Sequence, residues 1–440
     1  MVRIPIRLGL ALTAALVVVP AGVARGGDAA TAPVGQRLGG APAVQARYQA
    51  DYRAVLDPES GLAHVRWRLT GNEGYVGRIS LRVDPDRYHN LEGDGTIRAQ
   101  DGWIHWEPSR GRAELRYDVQ LDHRRAADKG FDARMTPEWA LFKGEDLFPP
   151  TRTLETVPGA EADARFTLEM PDDWSLVATR RGVGRQSVEI EEEHRLLDRP
   201  TGWMIAGKLG VTREKIAGVW FVLANPAGQD FRRMDLLAWL QVTVPELSRV
   251  LGSLPPRFVI VGAEDPMWRG GLSAPDSLYL HADRPLVQRD GTSPVIHELV
   301  HAFMHARAGK GGDWIVEGLA EWYSLEIQRR AGLMSRRRFR KALERLEQRG
   351  RAAVDLEVAS SNGDTTARAV GVLDRLDHQI REATRGRRSL DDVVQRFQVE
   401  RRMITTARLR EVSEEISGRD LGKFFAVNTA GTHRATGVTG

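Results

Sequence analysis

His297-Glu298-Leu299-Val300-His301, followed by Trp314-Ile315-Val316-Glu317-Gly318, is the stretch from which the rest of the chain is read. The first run is H-E-x-x-H. On a helix, residues four apart share a face, so both imidazoles reach one metal ion. Glu298 stands one residue round from His297, where it holds a water beside the metal without ligating it. Glu317 opens a second expected helix, after the turn at Ala308 to Gly312, and is the third donor. Zinc takes His-His-carboxylate sets and keeps a fourth position for water, so about one Zn2+ per chain is expected. Glu321 lies a turn beyond Glu317 and is placed to orient a ligand histidine. His305, one turn past His301, is read as exposed or as outer support, not as a ligand.

The flanks agree. Pro294 sits where a helix starts, and Val295, Ile296, Leu299, Val300 and Phe303 give that helix apolar faces. The competing reading is a surface helix that carries two histidines and a glutamate by coincidence. The downstream Glu317-Gly318 weighs against it.

Working outward, 440 residues accommodate two or three domains with sizeable cores, and 42% hydrophobic content with 11 Trp suits a globular protein. The absence of cysteine excludes disulfides, Cys-ligated zinc and thiol catalysis. Net charge is a modest +4. Basic residues cluster at Arg336-Arg337-Arg338 and from Arg385 to Arg388, and both clusters are read as solvated helix faces. No nucleic-acid motif is present, so no nucleic-acid partner is expected. At the N-terminus Arg3 and Arg7 precede an apolar run, Leu8 to Val19, with small residues to Ala24. This is a secretory signal pattern, too short for a comfortable membrane span. Residues 1–24 are therefore expected to be a signal peptide and 25–45 a flexible Gly/Ala/Pro-rich leader. The chain is expected to be exported, periplasmic or secreted, with no membrane contact beyond that signal. A retained segment would leave an N-terminal anchor.

From 46 to 210 the apolar period is two. Val65, Trp67 and Leu69 alternate with polar residues, as do Ile79, Leu81 and Val83, and Leu115, Tyr117, Val119 and Leu121. These are half-buried strands of a β-sandwich-like domain. Arg124 to Pro150 reads as a long loop. Beyond Gly210, strands are expected at Val219 to Ala224, Phe258 to Val261 and Leu278 to Leu280, with a helix from Asp235 to Leu251. After Glu317 the reading is helical: 314–331, 335–348, 367–384, 390–397 and 405–416, with Ser389 capping the fourth. The fold class is α+β and multidomain: a β-rich domain at 46–210, a catalytic domain at 211–334, a helical region at 335–430 and a tail at 431–440.

Four stretches resemble the gluzincin metallopeptidases of the aminopeptidase N and leukotriene hydrolase clan, most closely the glycyl aminopeptidase family. They are the two motifs above; Gly270-Gly271-Leu272 to Ser277; Val372-Leu373-Asp374 to Asp377 with Gly386 to Asp392; and Ser417 to Phe425. Leu196-Leu197-Asp198-Arg199-Pro200 is similar to the segment that closes the family's β domain. The resemblance implies a β domain, a thermolysin-like zincin catalytic domain and a helical part, in that order. It also implies that Gly271 and Leu272 lie on the substrate strand. The metzincin pattern is not met: the position for its third histidine holds Arg307.

The chain departs from the family in three places. The interval from His301 to Glu317 is short. Ser273 and Ala274 stand where the family carries a glutamate that grips the substrate's free amine. No tyrosine falls near Ala367-Arg368-Ala369, where the family's transition-state tyrosine is expected, so Tyr323, Arg368 and His281 are the candidates for that oxyanion or substrate contact. The expected function is zinc-dependent peptide hydrolysis, endo or exo, with Glu298 as general base and a peptide or protein as substrate. The alternative is a catalytically impaired relative that binds peptides or proteins in the envelope.

Overall fold

The structure, a computed structural model, describes residues 46–125, 129–180, 199–304 and 307–429, with backbone alone for 187–190. The expected signal segment, leader and tail, His305, and residues 196–198 lie outside the described residues. Two compact units are present: Met1–Thr212 with Val222–Phe231 and Val259–Gly270, and Arg213–Phe221 with Arg232–Phe258 and Gly271–Gly440.

The first unit is β-rich. Its strands are β1 (Arg47–Asp57), β2 (Leu62–Asn72), β3 (Val76–Arg82), β4 (Tyr88–Gly93), β5 (Thr96–Gln100), β6 (Trp103–Glu107), β7 (Gly111–Gln120), β8 (His123–Arg124), β9 (Phe131–Met135), β10 (Trp139–Lys143), β11 (Thr151–Thr156), β12 (Glu161–Glu169), β13 (Ser175–Val177), β14 (Ser187–Ile190) and β15 (Trp203–Gly207). One short helix, α1 (Gly144–Leu147), follows β10. Three sheets have the orders β14-β12-β1-β2-β7-β4, β13-β15-β10-β9-β8 and β11-β3-β6-β5. The alternation in β1 and β2 is observed as alternate burial, with Tyr52 opposite Trp67. Their rings lie 5.0 Å apart, and Trp67 meets Trp106 edge-on at 6.1 Å. Tyr48, Tyr52, Trp67, Trp106 and Tyr117 are thus core, as a two-residue period requires.

One expectation fails here. Arg124 to Pro150 is not a long loop: it carries the end of β8, then β9, β10 and α1. Trp139, Ala140, Leu141 and Phe142 of β10 are all buried, so the strand shows no alternation to read. Distant residues pin the segment. Tyr88 Oη donates to the Asp146 carbonyl at 2.7 Å, Tyr117 Oη to the Leu147 carbonyl at 2.9 Å, and Arg87 pairs with the Asp146 carboxylate at 3.2 Å.

A further five-stranded sheet has the order β16-β17-β18-β20-β19, formed by β16 (Leu209–Ile216), β17 (Val219–Pro226), β18 (Arg257–Ala263), β19 (Gly271–Ala274) and β20 (Ser277–His281). β19 is its edge and joins β20 through the two-residue turn Pro275-Asp276. Helices dominate the second unit: α2 (Arg233–Leu251), α3 (Pro294–Met304), α4 (Asp313–Arg330), α5 (Arg336–Gly350), α6 (Gly363–Ala383), α7 (Leu390–Glu400), α8 (Thr406–Ser417) and α9 (Gly422–Thr429). Two short strands, β21 (Arg307–Ala308) and β22 (Met403–Ile404), pair in parallel. All the helices read from periodicity are present. α6 begins four residues earlier than expected, where Asn362 caps it by accepting from Asp364 N and Thr365 N.

Candidate metal centre

Ser293 and Pro294 start α3: Ser293 Oγ accepts from Ile296 N at 3.4 Å, and proline occupies the first helical position. Val295, Ile296, Leu299, Val300 and Phe303 are fully buried, and Phe303 meets Phe258 of β18 at 4.8 Å, 73° between planes. That burial fixes the roll of α3 and leaves His297, Glu298 and His301 on its other face.

Glu317 comes from α4. The glycine after it has a packing reason. A β-carbon at Gly318 would lie 2.7 Å from Ala369 Cβ and 2.9 Å from Leu373 Cδ1, so α4 and α6 approach this closely only because residue 318 has no side chain. Trp314 and Trp322 secure the same helix, with indole N–H groups donating to Thr406 Oγ1 at 3.1 Å and Asp374 Oδ1 at 3.2 Å.

The three expected ligands meet. His297 Nε2 lies 3.1 Å from His301 Nε2 and 3.5 Å from Glu317 Oε2, and His301 Nε2 lies 3.6 Å from that oxygen. Zinc bonds of about 2.0–2.1 Å give a tetrahedron an edge of about 3.3 Å, close to all three separations. Glu321 Oε2 sits 2.9 Å from His297 Nδ1. With Nδ1–H donating there, the Nε2 lone pair is turned into the cluster. His297, His301 and Glu317 form a group able to hold a metal ion.

The charges of these side chains adjust to one another. Burial opposes a charge on His297, but the Glu317 and Glu321 carboxylates outweigh it and raise its pKa well above 6.5. Burial likewise opposes ionisation of Glu317, and the two imidazoles beside it hold its carboxyl far below the usual carboxylate range. A metal binding here would displace the imidazole proton.

Glu298 is half-buried and its Oε2 accepts from the backbone N–H of Ser273 in β19 at 2.9 Å. Sequence reasoning named Ser273 only as a departure from the family and missed this backbone contact. The signal was present: a two-residue turn at Pro275-Asp276 pairs Ala274 with Ser277, and antiparallel alternation then turns the Ser273 N–H away from β20. Gly271 lies on the same edge strand, where a β-carbon would stand 3.4 Å from Glu298 Cγ; Leu272 beside it is buried.

The candidates for an oxyanion contact have other engagements. Tyr323 is fully buried and its hydroxyl donates to Asp391 Oδ1 of α7 at 2.9 Å. It lies about 240° round α4 from Glu317, on a different face of the helix. Arg368 donates to the carbonyls of Ala353 and Val354 at 3.0 Å and of Asn428 at 3.3 Å. His281, at the end of β20, is buried, and its Nδ1 accepts from Asp283 N at 3.1 Å.

No protein-family model matches the sequence, and no curated protein does. Solved structures do match. An aminopeptidase N family protein from Idiomarina loihiensis aligns at TM-score 0.66 and 13% identity, over 87% of this chain and 76% of that one. The M1 zinc metallopeptidase of Deinococcus radiodurans, as a Glu-to-Ala mutant with and without a Tyr-Ser-Ala substrate, aligns at TM-score 0.59 and 14% identity, over 88% of this chain and 94% of that one. The chain shares the fold of M1 zinc metallopeptidases. At these identities the likeness concerns the fold, and the chemistry rests on the side chains. Two imidazoles, one carboxylate, a supported tautomer and an adjacent carboxylate are a set that can hold a metal and move a proton beside it.

Proposed function

We propose that this chain is an exported zinc-dependent peptidase, with 211–334 as its catalytic domain, built on a thermolysin-like plan. The observation that carries the reading is the triangle of His297, His301 and Glu317 donor atoms at 3.1, 3.5 and 3.6 Å, which suits one face of a zinc tetrahedron. Bound there, zinc supplies a Lewis acid that polarises a carbonyl and acidifies water. Glu298 is the general base: it takes a proton from the attacking water and hands it to the leaving amine. Ser273 N–H holds Oε2 and leaves Oε1 to exchange that proton. Glu321 keeps His297 in its ligating tautomer. β19 is the edge strand of its sheet, and beyond the Ser273 N–H held by Glu298 it suits a peptide substrate added as a further strand. Export rests on Arg3, Arg7 and the apolar run from Leu8 to Val19. The likeness to the glycyl aminopeptidase family rests on the quoted motifs.

A second reading rests on the engagement of Tyr323 with Asp391 and of Arg368 with three carbonyls. In that reading the site binds peptides without cleaving them. One experiment separates the two. The chain is incubated with a mixed peptide library, with and without a chelator, beside Glu298→Gln. Cleavage that the chelator abolishes, and that Glu298→Gln reduces by about 1,000-fold while keeping its metal, is the expected result. Metal-loaded protein that binds peptides without cutting them supports the second reading.

A further inference from the structure

The sequence holds two basic clusters, and the structure treats them differently. At Arg385 to Arg388 two of the three arginines are engaged: Arg388 pairs with Asp392 at 2.6 Å, and Arg387 Nε donates to the Thr384 carbonyl at 3.2 Å, while Arg385 is exposed. The first two turns of α5 are another matter. Arg336, Arg337, Arg338, Arg340 and Lys341 are all exposed, and no acidic residue stands in that first turn. Among the described residues none of these five side chains makes an ion pair or hydrogen bond. The ion pairs of α5 lie in its other half: Arg349 with Asp364 at 2.9 Å, and Glu347 with Arg375 at 3.5 Å.

This placement works against the helix. The N-terminal turn carries the positive end of the backbone dipole, and cations there destabilise it. A local rule broken without a compensating contact marks a surface kept for another purpose. Arg336, Arg340, Arg337 and Lys341 fall within about 140° of one another round the axis, opposite the buried Ala342 and Leu346, so they form one continuous face. Beside that face, two residues ahead of the capping Ser335, Leu333 is 39% exposed in a turn fixed by its backbone bond to Gln328. A rigid face with three guanidiniums and one ammonium suits phosphate oxygens, which arginine binds with two parallel donors. An exposed leucine at its margin suits the boundary between head groups and acyl chains.

We propose that this face of α5, with Leu333, docks the chain peripherally on a lipid bilayer carrying anionic phosphate head groups. No described helix is long and apolar enough to cross a membrane, so the contact lies at the surface. The face stands at the far end of α4 from the metal centre, about 20 Å along the helix from Glu317 to Arg330. Docking therefore leaves the metal centre uncovered.

The test measures partition of the full chain onto vesicles of phosphatidylglycerol mixed with phosphatidylcholine, against vesicles of phosphatidylcholine alone. Any contribution of the N-terminal segment, including Arg3 and Arg7, is common to the wild type and the variant below, so the difference between those two reports the cationic face. The variant Arg336→Gln, Arg337→Gln, Arg340→Gln removes three exposed charges and keeps helix propensity. Expected are a preference for the anionic vesicles that fades with salt, its reduction by about 100-fold in the triple variant, and unchanged metal content and Tm. Leu333→Ala is expected to weaken the vesicle contact further while leaving heparin retention unchanged. Equal partition onto both vesicles, or a preference that survives in the triple variant, overturns the proposal. So does binding of duplex oligonucleotide through the same arginines without vesicle binding.

Discussion

The two ends of α4 hold carboxylates in opposite ways. Near its start, Glu317 and Glu321 face the imidazoles of His297 and His301. Near its end, Glu326 lies between Arg329 and Arg330, and Arg330 also takes Asp391 with both arms, at 2.6 and 3.0 Å. At the far end two carboxylates meet two guanidiniums, and charge closes within the protein. At the near end the bases are imidazoles, which bring no permanent charge. One helix therefore carries a finished ion-pair network at one end and, at the other, an unfinished one, whose His297, His301 and Glu317 are a donor set able to hold a metal ion.

That contrast breaks most directly at Glu317. Glu317→Ala removes the only charged donor of the triangle and is expected to lower zinc affinity by about 1,000-fold or more, read by metal analysis after dialysis against a weak chelator. Its Tm without metal is also expected to fall at neutral pH, because a carboxyl held below its usual range contributes stability there. Unchanged zinc affinity would make Glu317 a structural ion-pair partner like Glu326 and erase the distinction.

Arg330→Ala is the counterpart at the other end. It leaves Glu326 and Asp391 without their shared cation and is expected to destabilise the chain by about 3 kcal/mol in denaturant titration. Zinc content should stay at about one per chain. Glu321→Gln should act more mildly and only on the metal. The amide cannot enforce the Nδ1–H tautomer of His297 as a carboxylate does, and a loss of about 10- to 100-fold in zinc affinity is expected by competition titration. Unaltered affinity would mean that packing, not Glu321, sets the imidazole.

The metal end was legible in the sequence because its logic is local. His297 and His301 share a helix face by spacing alone, Glu317 opens the next helix, and Glu321 follows one turn later. The strands and helices that announced a period were legible for the same reason, with β2, β3 and β7 at two residues and α4 to α8 at three and four. β10 was not, because a strand buried on both faces has no period, and the anchors at Tyr88 and Tyr117 are remote in the chain. The reason for Gly318 was hidden too, since it lies in Ala369 and Leu373 of another helix. The bond from Tyr323 to Asp391 was hidden as well, since it joins α4 to α7 across 68 residues. So was the difference between the two basic clusters: whether an arginine is engaged depends on which acid the fold brings to it.

The smallest expected effect is on acid stability. Burial alone would raise the pKa of Glu326, but Arg329 and Arg330 outweigh it and hold the carboxyl below its ordinary 4.5. A depressed folded-state pKa contributes stability that is complete above the unfolded value and is lost as pH falls through the folded one. At neutral pH Glu326→Gln should therefore melt below the wild type, and the two curves should converge as pH falls through the ordinary 4.5 and below it. The convergence should be identical with and without chelator, because the network at Glu326 is complete without metal. A chelator-dependent convergence would mean that the two ends of α4 are energetically coupled, and that the finished network exists to hold the unfinished one in place.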